Sequence, residues 1–297
     1  MGLKGECVGA KAVSQAEKKP GVLSPAAAAL ALAVVLMIAD LARAQSVKPE
    51  DQVPVAKRWS VIAGLGQSQN LYITNSGREQ AATDFSGSLR FRLAPKTLLS
   101  ASVAASYDNK YEESDFTQAA LSLSQSQIPI LNEYFLWTPS GSAQLPASRV
   151  NHAASMRGVL GFSNRFDVNS EKMGWTRASV AYLASVSHAI YEYETATSGA
   201  INQPWRLSQG LEFTWALSDR VYLVLFGSHG LRRSMQGNWS ESLTHAEEVY
   251  AQVTAKWGLS LGHQLGSSIR TANGQDLNLR MNSDQDSIVY LQSTLIF

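Results

Sequence analysis

Arginine recurs on one side of the chain's alternating segments. Arg90 and Arg92 stand with Ser86 and Ser88 among Phe85, Leu89, Phe91 and Leu93. Arg157 and Arg165 stand with Ser163 against Leu160, Phe162, Phe166 and Val168, and Arg206 stands with Ser208 against Leu207, Leu211 and Phe213. Arg177, Lys256 and Arg270 fall on the same polar side, where the acids are Glu212 and Glu248. A guanidinium stays charged at physiological pH and presents a rigid fork of donors that matches carboxylates and phosphates. Arginines facing one another in a low-dielectric enclosure are costly unless hydrated or paired. A polar surface of mostly one sign therefore implies water beside it and attraction for anions. Arg90, Arg92, Arg157, Arg165, Arg177 and Arg206 are the residues expected to set that preference.

The other chemistry-bearing residues form no recognised catalytic or metal motif. There is no phosphate loop, CxxC pair or dinucleotide fingerprint, and Gly64 and Gly66 lie inside a strand pattern, where they ease curvature. His152 and His245 fall in or beside polar loops, His188 at the end of a segment, and His229 on a segment apolar on both faces. The acidic stretches Glu112, Glu113, Asp115 and Asp284, Asp286 lack the ligand spacing of an EF-hand. They read as solvated loops, with divalent-ion bridging as the alternative. No cofactor, metal or catalytic residue is assigned. With 25 basic and 24 acidic residues the chain has no charge bias toward nucleic acid.

The elements that must position the arginines have a period of two, the strand period. From Arg58 onward the chain falls into about twelve alternating segments of roughly ten to fifteen residues, separated by turns rich in Asn, Asp, Gly, Ser and Pro. The clearest runs from Ala82 to Leu93. The weakest runs from Glu133 to Leu145, where Pro139 and Gly141 predict a bulge or a shorter strand. Short turns alternate with longer polar loops, of which Ala189 to Pro204 is the longest. Trp59, Trp175, Trp215, Trp257 and Phe297 fall near one end of the segments, and Trp205 and Tyr107 near the other. Two aromatic levels of this kind mark the two interfaces of a membrane-spanning barrel. The low charged content, 16% against about 25% in average soluble domains, fits strands with one face in lipid and a small polar face in a lumen.

The last segment ends on Phe297, with Leu295, Ser293, Leu291 and Val289 at alternate positions before it. It resembles the C-terminal signal strand of Gram-negative outer-membrane β-barrel proteins, although Ser293 departs from the apolar pattern. The resemblance implies that this strand is read by the barrel-assembly machinery and pairs with the first strand. The N-terminus has an export-signal anatomy: Lys4, Lys11, Lys18 and Lys19, then an apolar run from Ala26 to Ile38, then Ala42-Arg43-Ala44. Cleavage before Gln45 would remove Cys7, the single cysteine, and leave residues 45–57 as a polar periplasmic tail. The expected organisation is a signal peptide over 1–44, the tail over 45–57 and an all-β, antiparallel transmembrane barrel of about twelve strands over 58–297. Its place is the bacterial outer membrane, with membrane lipid and lipopolysaccharide around it.

Twelve-stranded barrels with arginine-lined interiors resemble the porin family that admits acidic oligosaccharides, a resemblance resting on strand number and lining alone. It implies a narrow channel for passive diffusion of small, preferentially anionic solutes. Two alternatives stay open. In the first the barrel is closed and acts through its extracellular loops, with arginines near the mouths, such as Arg92, Arg165 and Arg270, meeting head groups or loop carboxylates. In the second, His263 and Ser293 come level on the lipid face, an arrangement that resembles outer-membrane phospholipases only in using serine and histidine on the barrel exterior. The cluster His245, Glu247 and Glu248 bears a comparably weak resemblance to the surface proteases of that compartment, which use acids and a histidine at the extracellular mouth.

Overall fold

The computed structural model describes residues 58–71, 81–268 and 287–297. The expected signal peptide, the tail, Arg270, Asp284 and Asp286 lie outside the described residues. The strands are β1 (Trp59–Asn70), β2 (Ala81–Ala94), β3 (Thr97–Asp108), β4 (Glu113–Gln125), β5 (Ile128–Ile130), β6 (Phe135–Leu145) and β7 (Met156–Val168). They continue with β8 (Ala178–Tyr191), β9 (Trp205–Ala216), β10 (Val221–Arg233), β11 (Trp239–Thr254), β12 (Trp257–Ser268) and β13 (Ser287–Ile296). All pairings are antiparallel between chain neighbours, except that β4 pairs with β6 and β1 with β13. The thirteen strands, less the three-residue β5, leave twelve that close into a barrel. Closure removes every sheet edge, so no row of backbone N–H and C=O groups is left unpaired in an apolar medium.

The terminal strand makes the seam, in agreement with the sequence. β13 runs against β1 from Ile62↔Ile296 to Asn70↔Ile288. Beyond it the Phe297 N–H donates to the Val61 carbonyl at 2.9 Å.

Register assigns every strand residue to a face, because directly opposed residues point the same way. One face carries Leu65, Phe85, Leu121, Leu211 and Leu261, each at least 50% exposed. The buried apolar residues are only Val61, Ala181, Ala189 and Leu265 among the described residues. A water-soluble chain of this size would cover such side chains in a core; here they form a continuous outer belt, which a lipid bilayer covers. Trp59, Trp215 and Trp257 stand at one rim of the belt. Trp205 stands against His188 and Arg233 at the other, with Arg233 5.9 Å from the ring of Trp239. The first rim carries both ends of the barrel and is periplasmic in the orientation expected from the sequence.

The other face is small and polar. Ser124, Ser140, Ser163, Ser185, Ser208, Gly230 and Ser242 form one unbroken row from β4 to β11. The Ser185 and Ser208 hydroxyls lie 2.7 Å apart. Side chains on this face reach across an intervening strand, which only the concave side of a barrel permits. Tyr290 on β13 lies over Gly262 on β12, and its hydroxyl donates to Glu248 on β11 at 2.7 Å. A Cβ at Gly262 would collide with that ring.

Two strands differ from expectation. β6 starts at Phe135, two residues inside the expected Glu133, but is unbulged and runs through Pro139, which stands between Phe135–Trp137, paired with β5, and Ser140–Leu145, paired with β4. The missing proline N–H coincides with the break in the neighbouring ladder, where it costs least. β11 begins at Trp239, so His245 lies well within the wall and not in or beside a polar loop.

Candidate functional site

The lumen holds four of the expected arginines, Arg90, Arg92, Arg165 and Arg206, at distinct levels. Arg90 faces Ser60 and Ser100 across its neighbours, and Arg92 lies two residues nearer the periplasmic mouth; both are exposed. Neither meets a carboxylate among the described residues. Arg165 is also inward but neutralised. Its Nε donates to Asp167 at 2.8 Å, and its two terminal nitrogens reach Glu212 at 2.7 and 3.2 Å. Ala181 stands between Asp167 and Glu212 in the same row and is 2% exposed, which opens the path across β8.

Arg206, near the external end of β9, faces Ser187 on one side and Arg232 of β10 directly on the other. Like charges directly opposed across a strand pair repel, and no carboxylate is bonded to either arginine among the described residues. Arg232 is an inward-facing residue that alternation alone misses. β10 is apolar on both faces near its start, with Leu223 and Leu225 outward and Tyr222, Val224 and Phe226 inward. The signal that finds it is the tight turn after β9. Pairing Ala216 with Tyr222 carries Arg206 onto Arg232 by counting.

The remaining candidates stand elsewhere. Arg157 is at the external rim, where its guanidinium is paired with Glu192 in the loop after β8. Arg177 lies in the turn before β8 at the periplasmic end, and Lys256 in the turn between β11 and β12. Asp84 and Glu248 face inward beside Tyr290, Gln264, Gln292 and Ser68, lining a cavity of about 480 Å³ on the β1, β2 and β13 side. Carboxylates therefore line the β1, β2 and β13 side of the lumen, while Arg90 with Arg92, and Arg206 with Arg232, lie toward its two ends.

At the external side Arg149 donates to Glu113 at 2.8 Å, and its backbone N–H donates to Asp115 at 3.0 Å. Glu113 and Asp115, expected in a solvated loop, stand at the start of β4, where Arg149 ties the segment after β6 to them. Asn202, only 5% exposed, joins three more segments. Its Nδ2 donates to the carbonyls of Ala154 and Tyr193 at 2.9 Å, and its own carbonyl accepts from the Met235 N–H at 2.9 Å.

The serine and histidine of the hydrolase alternative are not level. Ser293 faces Leu259, and its hydroxyl accepts from the Trp257 indole at 2.9 Å. His263 faces Val289 on β13 and Glu247 on β11, because the β12–β13 pairing is offset from the one that strand lengths suggest. The protease-like cluster is divided as well. His245 and Glu247 point outward from the wall and Glu248 into the lumen.

No protein-family model matches the chain, and no curated protein matches it in sequence. Among solved structures it is similar to an outer-membrane channel from Pseudomonas putida F1, with a TM-score of 0.54 and 13% identity over 85% of this chain and 100% of that one. It is also similar to a NanC porin, with a TM-score of 0.52 and 7% identity over 80% of this chain and 99% of that one. At these identities the likeness shows the fold: a closed twelve-stranded antiparallel barrel of the outer-membrane kind. With its exposed apolar belt and two aromatic rims, the chain is a protein of the outer membrane.

Proposed function

We propose that the barrel is a narrow channel for passive diffusion of small, preferentially anionic solutes, and that its role is not catalytic. The observation that carries this reading is the Arg206–Arg232 pair. Two permanent positive charges face each other across adjacent strands of the inner wall, without a protein carboxylate to compensate them among the described residues. An arrangement that costs stability without an anion gains it with one, so the pair works as an attractor near the external mouth. Arg90 and Arg92 repeat the sign at the periplasmic mouth, and Arg165 with its two carboxylates fixes the wall between them. Structures of the same fold include a porin and a channel, which fits this use of the architecture. Assembly would proceed through β13, read by the barrel-assembly machinery, with lipopolysaccharide against the outer leaflet.

The test is single-channel recording of the refolded protein in planar bilayers, with the reversal potential read under a salt gradient. The expected result is a steady conductance with anion preference that falls when Arg206 and Arg232 are both changed to Ser. Conductance with unaltered selectivity in that double variant would overturn the assignment of the pair. Silence from folded protein would favour a closed barrel acting through the external loops that Asn202 and Arg149 hold together.

A further inference from the structure

His245, Glu247 and His263 form a three-sided cluster on the outer wall, where ionisable groups are rare because lipid does not solvate them. His245 and Glu247 are two residues apart on β11 and so share the outward face. His263 of β12 is directly opposed to Glu247. The His263 Nδ1 lies 2.8 Å from one Glu247 oxygen, and the His245 Nε2 lies 3.7 Å from the other. The imidazole rings are tilted with centroids 5.9 Å apart. One ligand atom from each residue falls within 4.8 Å of the other two.

Height makes the cluster more unusual. Trp257 marks the periplasmic rim of the belt on β12. Six residues at about 3.3 Å each, tilted by about 40°, place His263 roughly 15 Å above it, near the middle of an apolar band about 25 Å tall. A lone carboxylate there carries a full desolvation cost. The hydrogen bond to His263 offsets part of it, and the His263 Nε2 is itself buried without a partner.

We infer that His245, Glu247 and His263 bind a divalent transition-metal ion of the zinc class on the lipid-facing wall. Two imidazoles and one carboxylate are a ligand set that borderline-soft divalent ions prefer, and one that leaves a fourth position open. Donors around a tetrahedral zinc with bonds of about 2.0–2.1 Å stand about 3.3 Å apart. The two imidazoles approach different Glu247 oxygens, at 2.8 and 3.7 Å, and one ligand atom from each residue lies within 4.8 Å of the others, close enough for small side-chain rotations to reach that spacing. A rotation of side chains, without movement of either strand, would bring the three donors around one ion. The ion would compensate the carboxylate charge, with an anionic fourth ligand such as hydroxide needed for neutrality, and clamp the hairpin of β11 and β12, one strand from the β13–β1 seam. The site goes beyond the channel reading and does not depend on it.

The test uses the mature, untagged chain refolded in detergent micelles, with the heat-dependent shift in gel mobility reporting that each variant is folded. Zinc retained after gel filtration is counted by elemental analysis, and cobalt substitution is read by visible absorption. The expected result is about one zinc per chain and the absorption bands of four-coordinate cobalt. Near-isosteric Glu247→Gln, and separately His263→Ala, should weaken affinity by at least about ten-fold. His229→Ala, which alters the neighbouring pair of His229 and Glu241, should leave binding unchanged. Absence of stoichiometric metal at micromolar zinc would overturn the proposal. So would an unaltered cobalt spectrum in folded Glu247→Gln and His263→Ala, or loss of binding in His229→Ala alone.

Discussion

Arg206 and Arg232 stand directly opposite each other on β9 and β10, both pointing into the lumen near its external end. Adjacent strands lie about 4.8 Å apart, so the two guanidinium groups share one small volume of water. Their combined field is felt by any solute that enters. The same closeness makes their effect depend on salt.

Anion selectivity should fall as ionic strength rises. The Debye length shrinks from about 10 Å at 0.1 M to about 3 Å at 1 M, less than the half-width of a twelve-stranded lumen. Reversal potentials measured under a fixed salt ratio at increasing absolute concentration should approach the value for unselective diffusion. Selectivity that held at 1 M would point to direct contact with the solute instead of an attracting field.

Arg165→Met should destabilise the barrel by about 1–3 kcal/mol, the worth of hydrogen bonds to charged groups. The side chain is 36% exposed, which keeps the effect below that of a fully buried pair. Removal leaves Asp167 and Glu212 facing each other across Ala181 without a counter-charge. Urea unfolding monitored by tryptophan fluorescence measures the loss. Adding Glu212→Gln to the variant should recover part of it.

Asn202→Ala should loosen the external loops without opening the wall. Two donated hydrogen bonds are lost at a residue that is 5% exposed. The Ala154 and Tyr193 carbonyls lose that partner, at a cost of about 1–3 kcal/mol. Proteolysis of intact vesicles should cut faster in the segments around Ala154 and Tyr193, while the gel-mobility shift of the folded barrel persists. Cleavage at the wild-type rate would show that the loops are held by other contacts.

Strand identity was legible because a half-buried strand writes its period into the sequence. The alternation of Phe85, Leu89, Phe91 and Leu93 with Ser86, Ser88, Arg90 and Arg92 assigns both faces of β2 without reference to any other strand. Alternation assigns no face where both faces are apolar, as at the start of β10, so Arg232 is not legible from periodicity. Alternation is also unclear from Trp239 to Leu243, where polar and apolar residues mix, and for that reason His245 reads as in or beside a loop when it stands inside β11.

Composition and periodicity by themselves determined a membrane barrel of about twelve strands and which residues of most strands meet lipid. These are local properties of the chain, set by which face each side chain takes. Which residues meet across strands was decided only by the tertiary structure, because register is a relation between segments and a shift by an even number of residues leaves every face unchanged. Such a shift separates Ser293 from His263, sets Glu247 against His263, and places Arg206 opposite Arg232. Closure decided the rest: only curvature brings Arg165 to Glu212 and Tyr290 to Glu248 across a whole strand.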